Sequence, residues 1–172
     1  MRLARVLVLV LVGLLLLVTA AAHARMTTTT DEAGDGQHGR ALDITSVKLD
    51  NREHAIVATI KMVRATRGDL YVFLWARGEA PDQVTRVQSR HRARGNRNTV
   101  ATIDGTQTCP RLKVTWNHEI DRAKIRVPSG CFSEGDYRAV RARAITEIGS
   151  DADYAPKTET GDWGWTRWTR RG

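Results

Sequence analysis

From Ala41 onward the chain runs in short apolar stretches that alternate with polar residues and are broken by Gly, Asp, Asn and Pro. This is the rhythm of strands rather than of helices. Leu42–Leu49 predicts a first strand, with a shift of apolar phase near Thr45-Ser46 that implies a β-bulge, and Asp50-Asn51 predicts a turn. In Ala55–Val63 the side chains Ile56, Ala58, Ile60 and Met62 share one side and Val57, Thr59, Lys61 and Val63 the other. That is a second strand, with one apolar face. Arg67-Gly68-Asp69 then turns the chain into Leu70–Trp75, which is apolar on both faces and so predicts a central strand.

Leu112, Val114 and Trp116 alternate with Lys113, Thr115 and Asn117, and Ala123, Ile125 and Val127 alternate with Lys124 and Arg126. Folding these runs into a hairpin around Asn117–Asp121 sets Leu112 opposite Val127, Val114 opposite Ile125 and Trp116 opposite Ala123. In the same register Cys109 and Cys131 meet at the open end of the hairpin, within one residue of alignment, so a disulfide between them is predicted. Two cysteines alone cannot fill a zinc site. Asp136–Ile148 satisfies two periods, because Tyr137, Val140, Ala144 and Ile148 have helical spacing while Val140, Ala142 and Ala144 alternate with Arg141 and Arg143. The strand is preferred, since every neighbouring unit reads as a strand.

The fold class expected is therefore all-β: a single antiparallel β-sandwich, immunoglobulin-like or jelly-roll-like, with one disulfide-clasped hairpin. Its limits are set by the N-terminal segments. Arg2 and Arg5, the apolar run Val6–Val18 and the small residues of Ala22-His23-Ala24 read as a Sec-type signal peptide over residues 1–24. The run is short of the roughly 20 apolar residues a membrane span requires. No cysteine stands near the cleavage region to carry a lipid anchor. Residues 25–40, almost devoid of large apolar side chains, read as a flexible linker, and residues 41–172 as the sandwich. Asp31, Glu32 and Asp35 fall within that linker and read as a solvated tail rather than a calcium loop.

Composition adds a compartment and a sign. The chain has 172 residues and a formal net charge of +8, with arginine far outnumbering lysine, a skew that points to a GC-rich genome and secretion from a bacterium of the actinomycete kind. An exported protein rarely meets nucleic acid, so that partner is set aside. No integral membrane span is expected after processing. Anionic envelope polymers would attract the same charge.

Two segments concentrate chemistry. Arg86–Arg97 holds five arginines and His91 with no acidic residue among them, so Arg90, Arg92 and Arg94 are candidates for gripping anionic groups, the alternative being a charge-protected strand edge. The tail from Asp162 to Arg171 holds Trp163, Trp165 and Trp168, read either as a platform for sugar rings or a wedge at a membrane interface, or as the last strand with its rings closing the end of the core. Catalytic equipment is absent by motif, and neither a metal nor a cofactor is expected. His118 with Glu119 and Asp121 reads as a polar turn rather than a metal site, His54 and His91 carry no motif, and His38 lies in the linker. Asp104 and Asp151 are the example of carboxylates that could meet in space as an acid and base pair.

The stretch Leu42-Asp43-Ile44-Thr45-Ser46-Val47, the Val127–Phe132 step and Asp153-Tyr154-Ala155-Pro156 resemble secreted actinobacterial proteins of unassigned function. Those in turn resemble the β-sandwich of family 9 carbohydrate-binding modules and of DOMON-type domains. The resemblance implies a sandwich over residues 41 to about 160 and a sugar- or haem-binding ancestry, although no stacking pair and no haem-ligating Met and His can be matched residue by residue. The function expected is a secreted, non-enzymatic binding module for an extracellular glycan or other envelope component. A surface structural or protein-interaction domain is the alternative, and a hydrolase with a cryptic carboxylate site a third.

Overall fold

In the computed structural model, residues 25–36 and 39–172 are described, and the apolar N-terminal segment and His38 lie outside them. Alternation dictates the architecture. Strands β1 (Met26–Thr30), β2 (Ile44–Arg52), β3 (Ala55–Met62), β8 (Lys113–Asn117) and β9 (Arg122–Pro128) form one antiparallel sheet in the order β1-β2-β3-β9-β8. Strands β4 (Gly68–Ala76), β5 (Thr85–Arg92), β6 (Gly95–Thr102), β7 (Gly105–Gln107), β10 (Ala139–Ile148) and β11 (Asp151–Ala155) form the other, in the order β11-β10-β4-β5-β6-β7, and β12 (Thr169–Arg170) adds to β10. The two sheets pack face to face, an all-β sandwich.

Every second residue of the inner strands is withdrawn from water. Ile56, Ala58, Ile60 and Met62 of β3 face Leu70, Val72 and Leu74 of β4 and Val140, Ala142 and Ala144 of β10 in one continuous core. Leu70, Leu74, Ile56 and Ile60 are each fully buried, which at about 25 cal/mol per Å² makes each worth roughly 2 kcal/mol relative to exposure. The bulge falls where the phase shift predicts it, between Ile44 and Ser46. The hairpin pairs Val114 with Ile125 and Trp116 with Ala123, and Cys109 and Cys131 are joined across a Cα–Cα distance of 5.5 Å. Residues 139–148 are a strand, as the alternation requires.

Three expectations are corrected. Residues 26–30 are not part of a linker: they form edge strand β1, with Met26 opposite Asp50 and Thr30 opposite Ser46. An edge strand needs only backbone hydrogen bonds and can be polar on both faces, so a threonine run suffices. Asp50-Asn51 is not a turn, since β2 continues to Arg52. Asn51 is fully buried there, and its amide donates to the Thr169 carbonyl at 3.0 Å, a partner supplied from 118 residues away. The tail is not a last full strand either. Only Thr169 and Arg170 pair with β10, and Trp163–Trp168 cross the outer face of the seven-stranded sheet with a single isolated bridge, from Trp163 to Lys157.

Candidate functional site

The outer faces of the two sheets carry most of the chemistry. Because Val140, Ala142 and Ala144 point inward, Arg141 and Arg143 must point outward, beside Trp75 and Phe73 of the paired strand β4. The tail lies over them, fixed by the Thr166 N–H donating to the Ala142 carbonyl at 2.8 Å and the Ala142 N–H donating to Thr166 Oγ1 at 2.9 Å. The Arg141 guanidinium carbon sits 4.0 Å from the Trp75 ring centre, 4.7 Å from Trp168 and 5.0 Å from Trp165. Arg143 sits 3.6 Å from Trp163 and 4.3 Å from Trp165. Trp165 is thus shared by both cations. Among the described residues neither arginine has a carboxylate partner and their Nε atoms are buried without a hydrogen bond, and burial, joined for Arg143 by the charge of Arg141, lowers both pKa values from the ordinary arginine range. Aromatic faces take the place of anions here.

The three tail tryptophans are therefore neither interior core nor free rings. They are half-buried, each covering a guanidinium with one surface.

The arginines of β5 and β6 are divided. Arg90 and Arg92 are drawn to Asp69 of β4, Arg90 Nε lying 3.7 Å from one carboxylate oxygen and Arg92 Nη2 2.5 Å from the other. The segment's lack of acids is thus made good by a neighbouring strand. Arg94 sits exposed in the β5–β6 turn, and Arg86 and Arg97 are exposed on the strands. Asp104 and Asp151 do not meet. One lies in the β6–β7 turn and the other on β11, at opposite edges of the seven-stranded sheet. Asp104 instead shares a groove of about 400 Å³ with Glu79, Glu134 and Asp136. Glu79 is already engaged there, by the Ser133 hydroxyl at 2.5 Å and the Ala76 N–H at 3.3 Å.

The acidic residues of the N-terminal segment are brought to a site rather than left in solvent. Asp31, Asp35 and Asp153 each direct one oxygen to a common point, all within 4.8 Å of one another. Lys157 stands among them, its Nζ 2.6 Å from Asp35 and 3.8 Å from Asp153, and its backbone N–H donates to Asp31 at 2.9 Å. The ammonium supplies the positive charge, so the cluster acts as a latch between the N-terminal segment and the residues after β11. Burial, opposed by the Lys157 N–H and reinforced by Asp35 and Asp153, raises the Asp31 pKa to about 6. Burial likewise raises that of Asp153, although the Ile44 and Tyr154 N–H groups donate to it. The spacing of Asp31 and Asp35 alone could not reveal this, because the third carboxylate comes from β11.

A further surface was hidden in the alternation itself. The polar positions of β2, β3, β8 and β9 line up on the outer face of the five-stranded sheet as Lys48, Lys61, Lys113, Arg122, Lys124 and Arg126, all exposed. In the ladders Lys61 is opposite Arg122 and Lys113 is opposite Arg126. Among the described residues none of these six forms an ion pair. Lys113, Thr115, Asn117, Ile120, Arg122, Lys124 and Arg126 line a shallow groove of about 380 Å³ across β8 and β9. Strands in a sheet lie about 4.8 Å apart and alternate residues about 6.7 Å, so the face is a grid of positive charge at close spacing. No protein-family model and no curated protein matches the chain.

Proposed function

We propose that this protein is a secreted, non-enzymatic binding module for an anionic polymer of the extracellular space or cell envelope, a polyuronate or a phosphodiester-linked glycan. The observation that carries the reading is the pair of like charges set directly opposite each other, Lys61 with Arg122 and Lys113 with Arg126. Cross-strand like charges cost stability, and positions that break a local rule without internal compensation are expected at functional sites. A polymer of negative charge laid across β3, β9 and β8 would remove that cost. Arg86, Arg94 and Arg97 provide exposed guanidiniums without an ion pair among the described residues, on the other sheet, for a chain long enough to reach them. Export agrees with the disulfide, which persists in oxidising compartments. Among the described residues no helix is long and apolar enough to cross a membrane.

A second reading, stacking of neutral sugar rings on Trp163, Trp165 and Trp168, is favoured by the half-exposure of these rings. The resemblance of the chain to sugar-binding sandwiches points the same way. One experiment separates the two. The purified protein is retained on insoluble polygalacturonate, on cell-wall material and on a neutral glucan across a salt series. Retention on the acidic matrices that disappears by 0.5 M salt supports the polyanion reading. Salt-resistant retention on the glucan with quenching of tryptophan emission supports the second. No retention at any salt overturns both.

A further inference from the structure

His91 closes the inner face of β5, and His118 begins the β8–β9 turn of the opposite sheet, so the two histidines meet at one end of the sandwich from different sheets. Their Nε2 atoms are 2.9 Å apart. Each ring is held at its other nitrogen. His118 Nδ1 is 3.0 Å from the Ala65 carbonyl oxygen, and His91 Nδ1 is 2.5 Å from the Asn96 side-chain oxygen. Behind them, the His91 ring stacks on Trp116 with centres 4.9 Å apart, and Trp116 is fixed by donating its indole N–H to Ser89 Oγ at 3.1 Å.

The protonation that follows is decisive. A carbonyl oxygen only accepts, so His118 Nδ1 donates to Ala65, and His91 Nδ1 donates to Asn96 with the amide oxygen turned towards it. A neutral imidazole has one N–H, here at Nδ1, which leaves the two Nε2 lone pairs on the facing sides of the rings. Two lone pairs at 2.9 Å repel unless a cation holds them together: a proton, taken up by one ring and donated to the other, or a metal ion on which both converge. A metal bound at about 2.05 Å by two imidazoles brings their nitrogens to about 2.9 Å when the angle at the metal is a right angle, and to about 3.3 Å when it is tetrahedral. An Nδ1–H donated to a backbone carbonyl or side-chain oxygen is also the outer-shell arrangement that orients metal-binding histidines. His118 is exposed and His91 half-buried, so an ion has access from solvent and room for further ligands.

We propose that His91 and His118 form a two-histidine site for a single divalent transition-metal cation of the copper, nickel and zinc class, with water or a bound ligand completing its coordination. The site ties the five-stranded sheet to the seven-stranded one at the end where Trp116 sits, and its right-angle geometry suits copper and nickel. It is independent of the polyanion reading, since neither histidine belongs to either cationic face.

The test is calorimetric titration of Cu2+ into the full chain prepared without a histidine tag, beside H91N, H118N and the double variant, with tryptophan emission followed in parallel. The expected result is one equivalent bound, at least tenfold weaker in each single variant and lost in the double variant, with a quench of emission that W116F diminishes. N96A, which frees the His91 ring at Nδ1, is expected to weaken binding severalfold without abolishing it. Because Asp31, Asp35 and Asp153 form the other cluster able to attract a cation, D35N serves as a control and is expected to bind Cu2+ as the wild type does. Absence of binding at millimolar Cu2+, or binding that survives in the double histidine variant, overturns the proposal.

Discussion

Lys113 stands directly opposite Arg126 across the β8–β9 ladder, with no carboxylate among the described residues paired to either. In a domain selected for stability alone, such a pair is a defect that one substitution repairs. K113E converts it into an opposite-charge pair and is expected to stabilise the fold by about 0.5 kcal/mol, read as a higher urea midpoint. The same change is expected to weaken retention on polygalacturonate at low salt at least threefold. A variant that is more stable and equally well retained would remove this face from the proposed function.

The Cys109–Cys131 bridge closes a sequence separation of 22 residues around the β8–β9 hairpin. Loop entropy assigns a closure of that length about 3 kcal/mol. The C109S/C131S variant is accordingly expected to lose roughly that amount in urea unfolding, with the wild type falling to the same midpoint under reductant. A loss below 1 kcal/mol would mean that the reduced hairpin already holds its ends together.

Trp165 lies between Arg141 and Arg143. Removing the ring in W165A strips one aromatic face from each of two cations, leaving Arg141 to Trp75 and Trp168 and Arg143 to Trp163, and is expected to cost about 2 kcal/mol. R143A is expected to cost less than W165A, because it removes one charge while leaving the rings to close on each other. Should R143A prove the more costly, the tail would be held by the guanidinium and not by aromatic contact.

The Asp31 latch sets a pH dependence with a definite sign. With the folded pKa of Asp31 raised to about 6 from 3.8, and that of Asp153 also raised, the folded protein binds more protons than the unfolded chain between about pH 4 and 6. Stability contributed by these groups therefore falls as pH rises through that window. Lys157 acts oppositely. Burial would lower its pKa, but the Asp35 hydrogen bond and the three carboxylates raise it above 10.5, so its contribution is present below that value and lost in more alkaline solution. D31N keeps an acceptor for the Lys157 N–H and discards a buried charge. It is expected to stabilise the protein by about 1 kcal/mol at pH 7, allowing for solvent screening, and to be neutral at pH 4. Thermal unfolding at the two pH values checks this, and equal effects at both would contradict the assignment.

What could be read from the chain was whatever repeats at short range. Val114 opposite Ile125 and the bulge at Thr45-Ser46 follow from period-two alternation, and the alternation of Val140, Ala142 and Ala144 decides between strand and helix once its neighbours are strands. Arg90 and Arg92 were recognised as a cluster, but their partner Asp69 belongs to another strand. The tail tryptophans drew notice by number. Their place could not be read, because a ring packed on the outside of a sheet obeys no periodicity of its own. His91 and His118 are 27 residues apart in sequence and on different sheets, and only the closure of the sandwich brings their nitrogens together.

Thr169 joins what the two sheets would otherwise keep separate. Its backbone pairs with Val140 of the seven-stranded sheet, its carbonyl accepts from Asn51 of the five-stranded sheet, and its hydroxyl meets that of Thr27 on β1 at 2.6 Å. The tail thus joins the two sheets through one residue. Until residue 169 has left the ribosome, the Asn51 side-chain amide lacks its carbonyl acceptor and Thr27 of β1 lacks its hydroxyl partner. Completion of this domain therefore waits for residue 169, and a product truncated before the tail would contain almost all of the core without these three contacts.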